Sequence, residues 1–279
     1  MKSHAGFAYF SKNGELLPDA EAVVPLSDIA YSYGFGVYES IRVVAGIPYF
    51  MADHAKRLLA SAEILGLEHT LTQEFVESTV RALIEKNAVN DCNVKVLLVG
   101  AKRAEDATLY IQCLNPLFPD KKLYRDGVRC ISVEYERIFP HAKSLSMLRS
   151  YLAYRDAKNA GAYDALLVDG EGCIREGTRT NFFCIKDKTL YSPPEGKILL
   201  GVTRKAVLKV AAEEGFAIEE RDIKYTDISA YDGAFLTSTS SKILPIRSVD
   251  DTTLPPQPDT LRQLMEAFGR FFDKCAGNL

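Results

Sequence analysis

The sequence predicts a mixed α+β protein in two unequal domains, and three observations lead there. Strand-like and helix-like segments alternate along the chain. A break rich in proline and charge, "NPLFPDKKLYRDG", interrupts them before residue 127. No internal repeat or low-complexity stretch points to a solenoid or a fibre. The break separates a small N-terminal domain, 1–117, from a larger C-terminal one, 127–279, with 118–126 as the linker.

The elements follow in order. "FAYFSKNGELL" holds an Asn-Gly pair between apolar flanks, a hairpin signal. The glycine-punctuated "YSYGFGVYESIRVVAGIPYF" leads to "ADHAKRLLASAEILGL", where Leu58, Leu59, Ala62, Ile64 and Leu65 recur near helical spacing, and "TQEFVESTVRALIEKN" is a second helix. "NVKVLLVG" and "ATLYIQCL" are strands around the charged turn "AKRAED". Past the linker, "VRCISVEYE" is a strand and "SMLRSYLAYRDAKNAG" a helix stopped by Gly161. "DALLVD", "NFFCIKD" and "TLYSPP" are short strands. "TRKAVLKVAAEEG" is a helix headed by a threonine and closed by a glycine. "AIEERDI", "GAFLTSTSS" and the helix "TLRQLMEAFGRFFDKC" complete the chain.

Composition narrows the function. With 279 residues, 47% hydrophobic and 25% charged, the chain resembles ordinary soluble globular proteins and should bury roughly 75% of its unfolded surface. A formal net charge of −3 gives no electrostatic reason to expect nucleic acid or an anionic membrane, so small molecules are the expected partners. The six cysteines and four histidines are scattered, with no C-x-x-C pair. That pattern predicts no metal site and reduced thiols in a cytoplasm. The N-terminal stretch has no apolar signal region, and no apolar run is long enough to span a bilayer.

Four polar places stand out. In "REGTRTNFF", Glu176 adjoins a buried strand, where a carboxylate needs a donor or cation. A salt bridge to Arg175 or Arg204 would serve, and so would the protonated ring nitrogen of a pyridoxal cofactor. In "LLGVTRKAV", Gly201 permits a sharp turn. Val202 and Thr203 then offer N–H groups and a hydroxyl at a helix start, either as a plain N-cap or as an anion site. "LTSTSSKILP" sets a row of hydroxyls, Thr237 to Ser241, after an apolar strand, suited to a solvated turn or to phosphate. Lys143, in "FPHAKSLSML", lies in a segment with little other charge, where a solvated lysine and a Schiff-base lysine both fit.

Together, "YGFGVYESIR", "DHAKRLLASAEIL", the lysine of "AKSLSML", "GAYDALLVDGEGCIREGTRTNFF", "ILLGVTRKAV" and "FLTSTSSKILPI" resemble, in order and over nearly the whole chain, the fold-type IV (class IV) pyridoxal-phosphate aminotransferases. That family includes D-amino acid transaminases, branched-chain aminotransferases and aminodeoxychorismate lyases. The resemblance implies a small N-terminal α/β domain, a larger β-barrel-like α/β domain and pyridoxal 5′-phosphate held between them. It implies amino acid and 2-oxo acid substrates in a ping-pong half-transamination. It also implies a homodimer, in which Tyr33 or a neighbour in "YSYGFG" reaches across. Lys143 would carry the cofactor and shuttle the proton at Cα. Glu176 would keep the ring nitrogen protonated, and Arg57, Val202, Thr203, Ser238 and Thr239 would meet the phosphate. Leu199 would lie under the ring, where a plain core leucine is the competing reading. Arg137 matches an arginine the family often carries before the lysine, an exposed ion pair being equally compatible.

Within the family, Leu148 stands where branched-chain enzymes typically have tyrosine. Like the "TSTSS" row and Tyr38, it resembles the D-amino acid transaminases. The familiar members of that group trap the substrate carboxylate with an arginine and a histidine in one loop. The corresponding "VGAKRAEDATLY" lacks the histidine, leaving Lys102 and Arg103, which also fit a solvated turn. Arg179, where most relatives carry a small or uncharged residue, is the replacement expected to grip the α-carboxylate. Thr180 and Ser240 join Tyr38 and Arg179 in the expected substrate-binding set. D-alanine or D-glutamate is the expected donor, with 2-oxoglutarate or pyruvate as acceptor. A branched-chain aminotransferase and an aminodeoxychorismate lyase are the alternatives, and a cofactor-free binding protein of the same fold is the non-enzymatic one.

Overall fold

The computed structural model describes residues 7–25, 27–116 and 118–277. His4 and the beginning of the N-terminal stretch lie outside the described residues. Two compact units emerge. The first takes the described residues of Met1–Leu117, Ala142–Met147 and Ala276–Leu279, the second those of Phe118–His141 and Leu148–Cys275. The short run Ala142–Met147, which carries Lys143, therefore packs with residues far earlier in the chain.

The first unit contains β1 (Tyr9–Lys12), β2 (Glu15–Pro18), α1 (Ile29–Ser32), β3 (Gly36–Val44), β4 (Ile47–Pro48), α2 (Met51–Ile64), α3 (Gln73–Lys86), β5 (Cys92–Val99) and β6 (Thr108–Leu114). Its sheet is antiparallel in the order β2-β1-β6-β5-β3-β4. Alternation does the folding here: Val37, Ile41 and Val43 of β3 point inward with Val94, Val96 and Leu98 of β5, and Leu58 of α2 and Val80 and Leu83 of α3 close over them. The hairpin from β1 to β2 turns at Asn13 and Gly14, both at positive φ, as the Asn-Gly pair predicts. Thr72 caps α3 by accepting from the Phe75 N–H.

The second unit contains α4 (Lys121–Asp126), β7 (Val128–Glu134), α5 (Leu148–Asn159), β8 (Asp164–Val168), β9 (Cys173–Gly177), β10 (Asn181–Lys186), β11 (Thr189–Ser192), α6 (Val202–Glu213), β12 (Ala217–Glu220), β13 (Ile223–Lys224), β14 (Gly233–Ser238), β15 (Lys242–Val249), β16 (Thr252–Thr253) and α7 (Asp259–Gly277). Six of its strands, β10-β14-β15-β7-β8-β9, run as neighbours, and β9 pairs back onto β10, so the sheet closes into a barrel-like arrangement. The closing pair is Asn181 opposite Glu176. Leu166, Ile174, Phe182, Leu236, Leu244 and Ile246 fill the adjoining core. With the exception of Val168, every residue of β8 and β9 is buried, as expected of strands covered on both faces.

Several expectations need correction. The segment 118–126 carries helix α4. The polar stretch before "NFFCIKD" is itself a strand, β9, and "KILPIRSV" is the long strand β15. Helix α6 is not headed by Thr203: the N-cap is Gly201, with no side-chain cap, and the helix begins at Val202. Nor does Gly201 serve a sharp turn, since its φ is −65°. What requires glycine there is close approach, because an added Cβ would lie 2.0 Å from Asn181 Oδ1.

Candidate active site

In the first unit, β3 and α2 together hold the Lys143 segment. The Tyr38 N–H donates to the Lys143 carbonyl at 2.9 Å, and the Leu145 N–H to the Gly36 carbonyl at 2.8 Å. From α2, Ser61 Oγ accepts the Lys143 N–H at 3.1 Å. The lysine is half-buried, and its Nζ sits 4.5 Å from the centroid of the Tyr38 ring. That ring's negative face attracts an ammonium, so Tyr38 is placed against Lys143.

On the opposite face of β3 lies a charged group that the sequence reading missed. Glu39 is 1% exposed, in the inward row between Val37 and Ile41. Arg57 of α2 grips it bidentately, Nε to Oε1 at 2.6 Å and Nη2 to Oε2 at 2.7 Å, and His54 Nδ1 meets Oε2 at 2.8 Å. Burial alone would push the Glu39 carboxyl up, but Arg57 and then His54 hold it well below the usual carboxylate range. Burial pushes His54 down, against the pull of Glu39, so its imidazole is neutral near pH 7. Burial opposes the charge of Arg57 too, yet Glu39 keeps it fully cationic. The available signal was a carboxylate inside an otherwise apolar alternation, which demands a cation just as Glu176 does.

In the second unit, Glu176 is 5% exposed at the barrel closure. Its cation is Arg137, Nη1 to Oε1 at 3.2 Å, and the Leu199 N–H donates to Oε2 at 3.3 Å. The expected partners Arg175 and Arg204 face elsewhere. Arg175 is adjacent on the strand, hence on the other face, where it pairs with Asp169 and Asp222. Arg204 bonds Glu195 at 2.8 Å. Asn181 Nδ2 donates to the Leu199 carbonyl at 2.7 Å, so Leu199, itself buried, is tied to both strands of the closing pair. Three residues later the N–H groups of Val202 and Thr203 open α6 without a side-chain cap, and a helix start of that kind stabilises an anion.

Register brings the hydroxyl row to the same end of the barrel, because Asn181 lies opposite Glu176 on one side and Thr237 on the other. Ser238 ends β14, and Thr239 and Ser240 form the turn into β15. Ser238 and Ser241 share a hydroxyl hydrogen bond of 2.7 Å. The Thr180 hydroxyl is committed to Asp164 Oδ2 at 3.0 Å, beside Thr178 on the same carboxylate. Burial pushes the Asp164 carboxyl up, against these donors and Arg179. Arg179 is exposed at the bend between β9 and β10, its guanidinium 3.8 Å over the ring of Tyr154 in α5. Leu148, the first residue of α5, is exposed. Arg103 pairs with Asp106 in the open turn between β5 and β6.

Pyridoxal phosphate would need a lysine amine to bond its aldehyde, a carboxylate for its ring nitrogen and a cradle for its phosphate. Taken each by itself, the first unit holds Lys143 against Tyr38, and the second holds buried Glu176 and the uncapped start of α6. Among the described residues, no helix is long and apolar enough to cross a membrane. All six cysteines are free thiols.

The family model "Amino-transferase class IV" matches residues 36–249. A D-alanine aminotransferase of Bacillus licheniformis is 29% identical, over 87% of this chain and 88% of its own. A T.th. branched-chain amino acid aminotransferase, solved with pyridoxamine 5′-phosphate, superposes with a TM-score of 0.88 at 25% identity, covering 98% of this chain and 95% of its own. The branched-chain aminotransferase of the archaeon Thermoproteus uzoniensis, solved with norvaline, gives a TM-score of 0.86 at 28% identity, covering 95% and 94%.

Proposed function

The chain belongs to the class IV aminotransferases, which use pyridoxal phosphate and move an amino group between an amino acid and a 2-oxo acid, and from that premise we propose that it is a D-amino acid transaminase. Bound pyridoxal phosphate supplies a conjugated ring that draws electron density away from the substrate Cα. The chain's own residues do the rest. Lys143 bonds the cofactor and, in turnover, carries the proton to and from Cα. The ring of Tyr38, close to its Nζ, orients the amine. Glu176 holds a proton on the ring nitrogen, a role suited to a buried carboxylate paired with Arg137. Arg57, the N–H groups of Val202 and Thr203, and the hydroxyls of Ser238 and Thr239 bind the phosphate. Leu199 packs under the ring.

The observation that carries the finer reading is the Arg179 guanidinium, exposed at the bend after Glu176 and propped on Tyr154. A planar cation there suits a substrate α-carboxylate, with Ser240 and Tyr38 lining the same substrate and Thr180 holding the bend through Asp164. Leu148 and the hydroxyl row support the same choice. A second reading, a branched-chain L-amino acid aminotransferase, is favoured by the solved relatives above. A donor panel of D-alanine, D-glutamate, L-leucine and (R)-phenylethylamine against pyruvate and 2-oxoglutarate separates the readings. Turnover with D-alanine or D-glutamate is expected, and turnover with L-leucine alone would replace the first reading by the second.

A further inference from the structure

We propose that Tyr154 is the positioning residue for Arg179, holding the guanidinium by its flat face so that its N–H edge meets the carboxylate of the amino acid or 2-oxo acid substrate; the inference rests on the carboxylate-binding reading of Arg179. Main chain and side chain are fixed separately. The bend that carries Arg179 is clamped on both sides by one buried carboxylate, Asp164, which accepts from the Thr178 hydroxyl and, at 3.0 Å, from the Thr180 hydroxyl. The Gly177 N–H closes the bend on the Thr180 carbonyl at 2.8 Å. That clamp sets the backbone of Arg179 and leaves a long side chain still to be ordered.

Tyr154 supplies the order. The guanidinium carbon lies 3.8 Å from the centroid of its half-buried ring. The ring is itself anchored, because α5 packs Ala153 and Ala157 against Ala165 and Leu167 of β8. One turn further on, Lys158 brings its Nζ to 5.1 Å from the same ring while donating to the Ala162 and Tyr163 carbonyls at 3.2 and 2.8 Å. The chemistry of the partner matters too. Arg175 is held by the carboxylates of Asp169 and Asp222, which offset its charge and take up its donors. An aromatic face engages the plane of a guanidinium, so the charge and the forked N–H groups stay available to an anion.

The test measures KM and kcat of the holoenzyme for D-alanine, or for L-leucine if that is the donor turned over, with 2-oxoglutarate as acceptor. Tyr154→Leu removes the ring and should raise the donor KM about three- to tenfold, the loss of one cation–π contact, with kcat within about twofold of wild type. Tyr154→Phe keeps the ring and should hold KM within about twofold. A rise of about tenfold in Tyr154→Phe would contradict the ring-face role even if Tyr154→Leu failed to fold. In an Arg179→Ala background Tyr154→Leu should change KM by less than about twofold, because the two act through one guanidinium. Equal rises in both backgrounds would mean a merely structural role and would overturn the proposal. If Arg179→Ala raises KM and Tyr154→Leu does not, the positioning role falls and the carboxylate reading stands. If Arg179→Ala leaves KM unchanged, the carboxylate reading fails and takes the proposal with it.

Discussion

Among the described residues, two buried glutamates lie on strands, each bonded to an arginine, and they are held differently. Glu39 is gripped at 2.6 and 2.7 Å by one guanidinium and at 2.8 Å by a histidine. Glu176 is held at 3.2 Å by an arginine nitrogen and at 3.3 Å by a main-chain N–H. Tight, reciprocal bonding converts a carboxylate into scaffold, since its geometry is spent on its partners. Longer contacts leave more room for a further donor at the oxygens. On the function proposed above, burial is common to both glutamates, and the length of the contacts is what differs between them.

The largest effect that would sharpen this contrast is on turnover. Glu176→Gln should lower kcat about 10²- to 10⁴-fold, the range of a positioned proton-holding group, while shifting the unfolding midpoint little. A variant with near-normal kcat would break the comparison. Arg57→Ala should do the reverse to the scaffold. It strands a buried carboxylate and should cost about 3–5 kcal/mol of stability in urea unfolding, part of which Glu39→Gln restores in the double variant.

The family and the fold class were legible beforehand, and the gaps have physical causes. Glu176 and the hydroxyl row stood out because polar residues beside an apolar strand must find partners, whereas Lys143 was singled out by the resemblance to the class IV pattern. The partners themselves could not be read, since Glu176 takes its donors from 23 and 39 residues away. Strand β9 escaped because Arg175 and Glu176 read as loop chemistry until the barrel buries them. Glu39 was passed over inside an apolar alternation that looked complete without it. The head of α6 was assigned to Thr203 by propensity, whereas the close approach of Asn181 places a glycine at the cap.

Smaller effects test the remaining elements. Arg179→Ala assayed with D-alanine and 2-oxoglutarate should raise KM about 10- to 100-fold, as expected for losing a hydrogen bond to a charged group, with kcat less affected; an unchanged KM would remove Arg179 from the carboxylate. The scaffold network should also be sensitive to acid. The fold depresses His54 below its usual 6.5 and Glu39 below its usual 4.5. Each therefore lends stability that is complete above its ordinary value and is lost as pH falls through it, first His54 and then Glu39. Urea midpoints measured between pH 8 and pH 5 should decline below about 6.5, and His54→Gln should flatten that decline. The smallest effect belongs to the open turn: Arg103→Ala should leave stability and KM unchanged, because its partner Asp106 is as solvated as it is.

The assignment of Lys143 is tested most directly by reducing the holoenzyme with borohydride and mapping its peptides by mass spectrometry. The mass of the reduced cofactor is expected on the peptide containing Lys143 and is expected to disappear in Lys143→Ala. Label on a different lysine, or a reduced protein carrying none, would contradict the account.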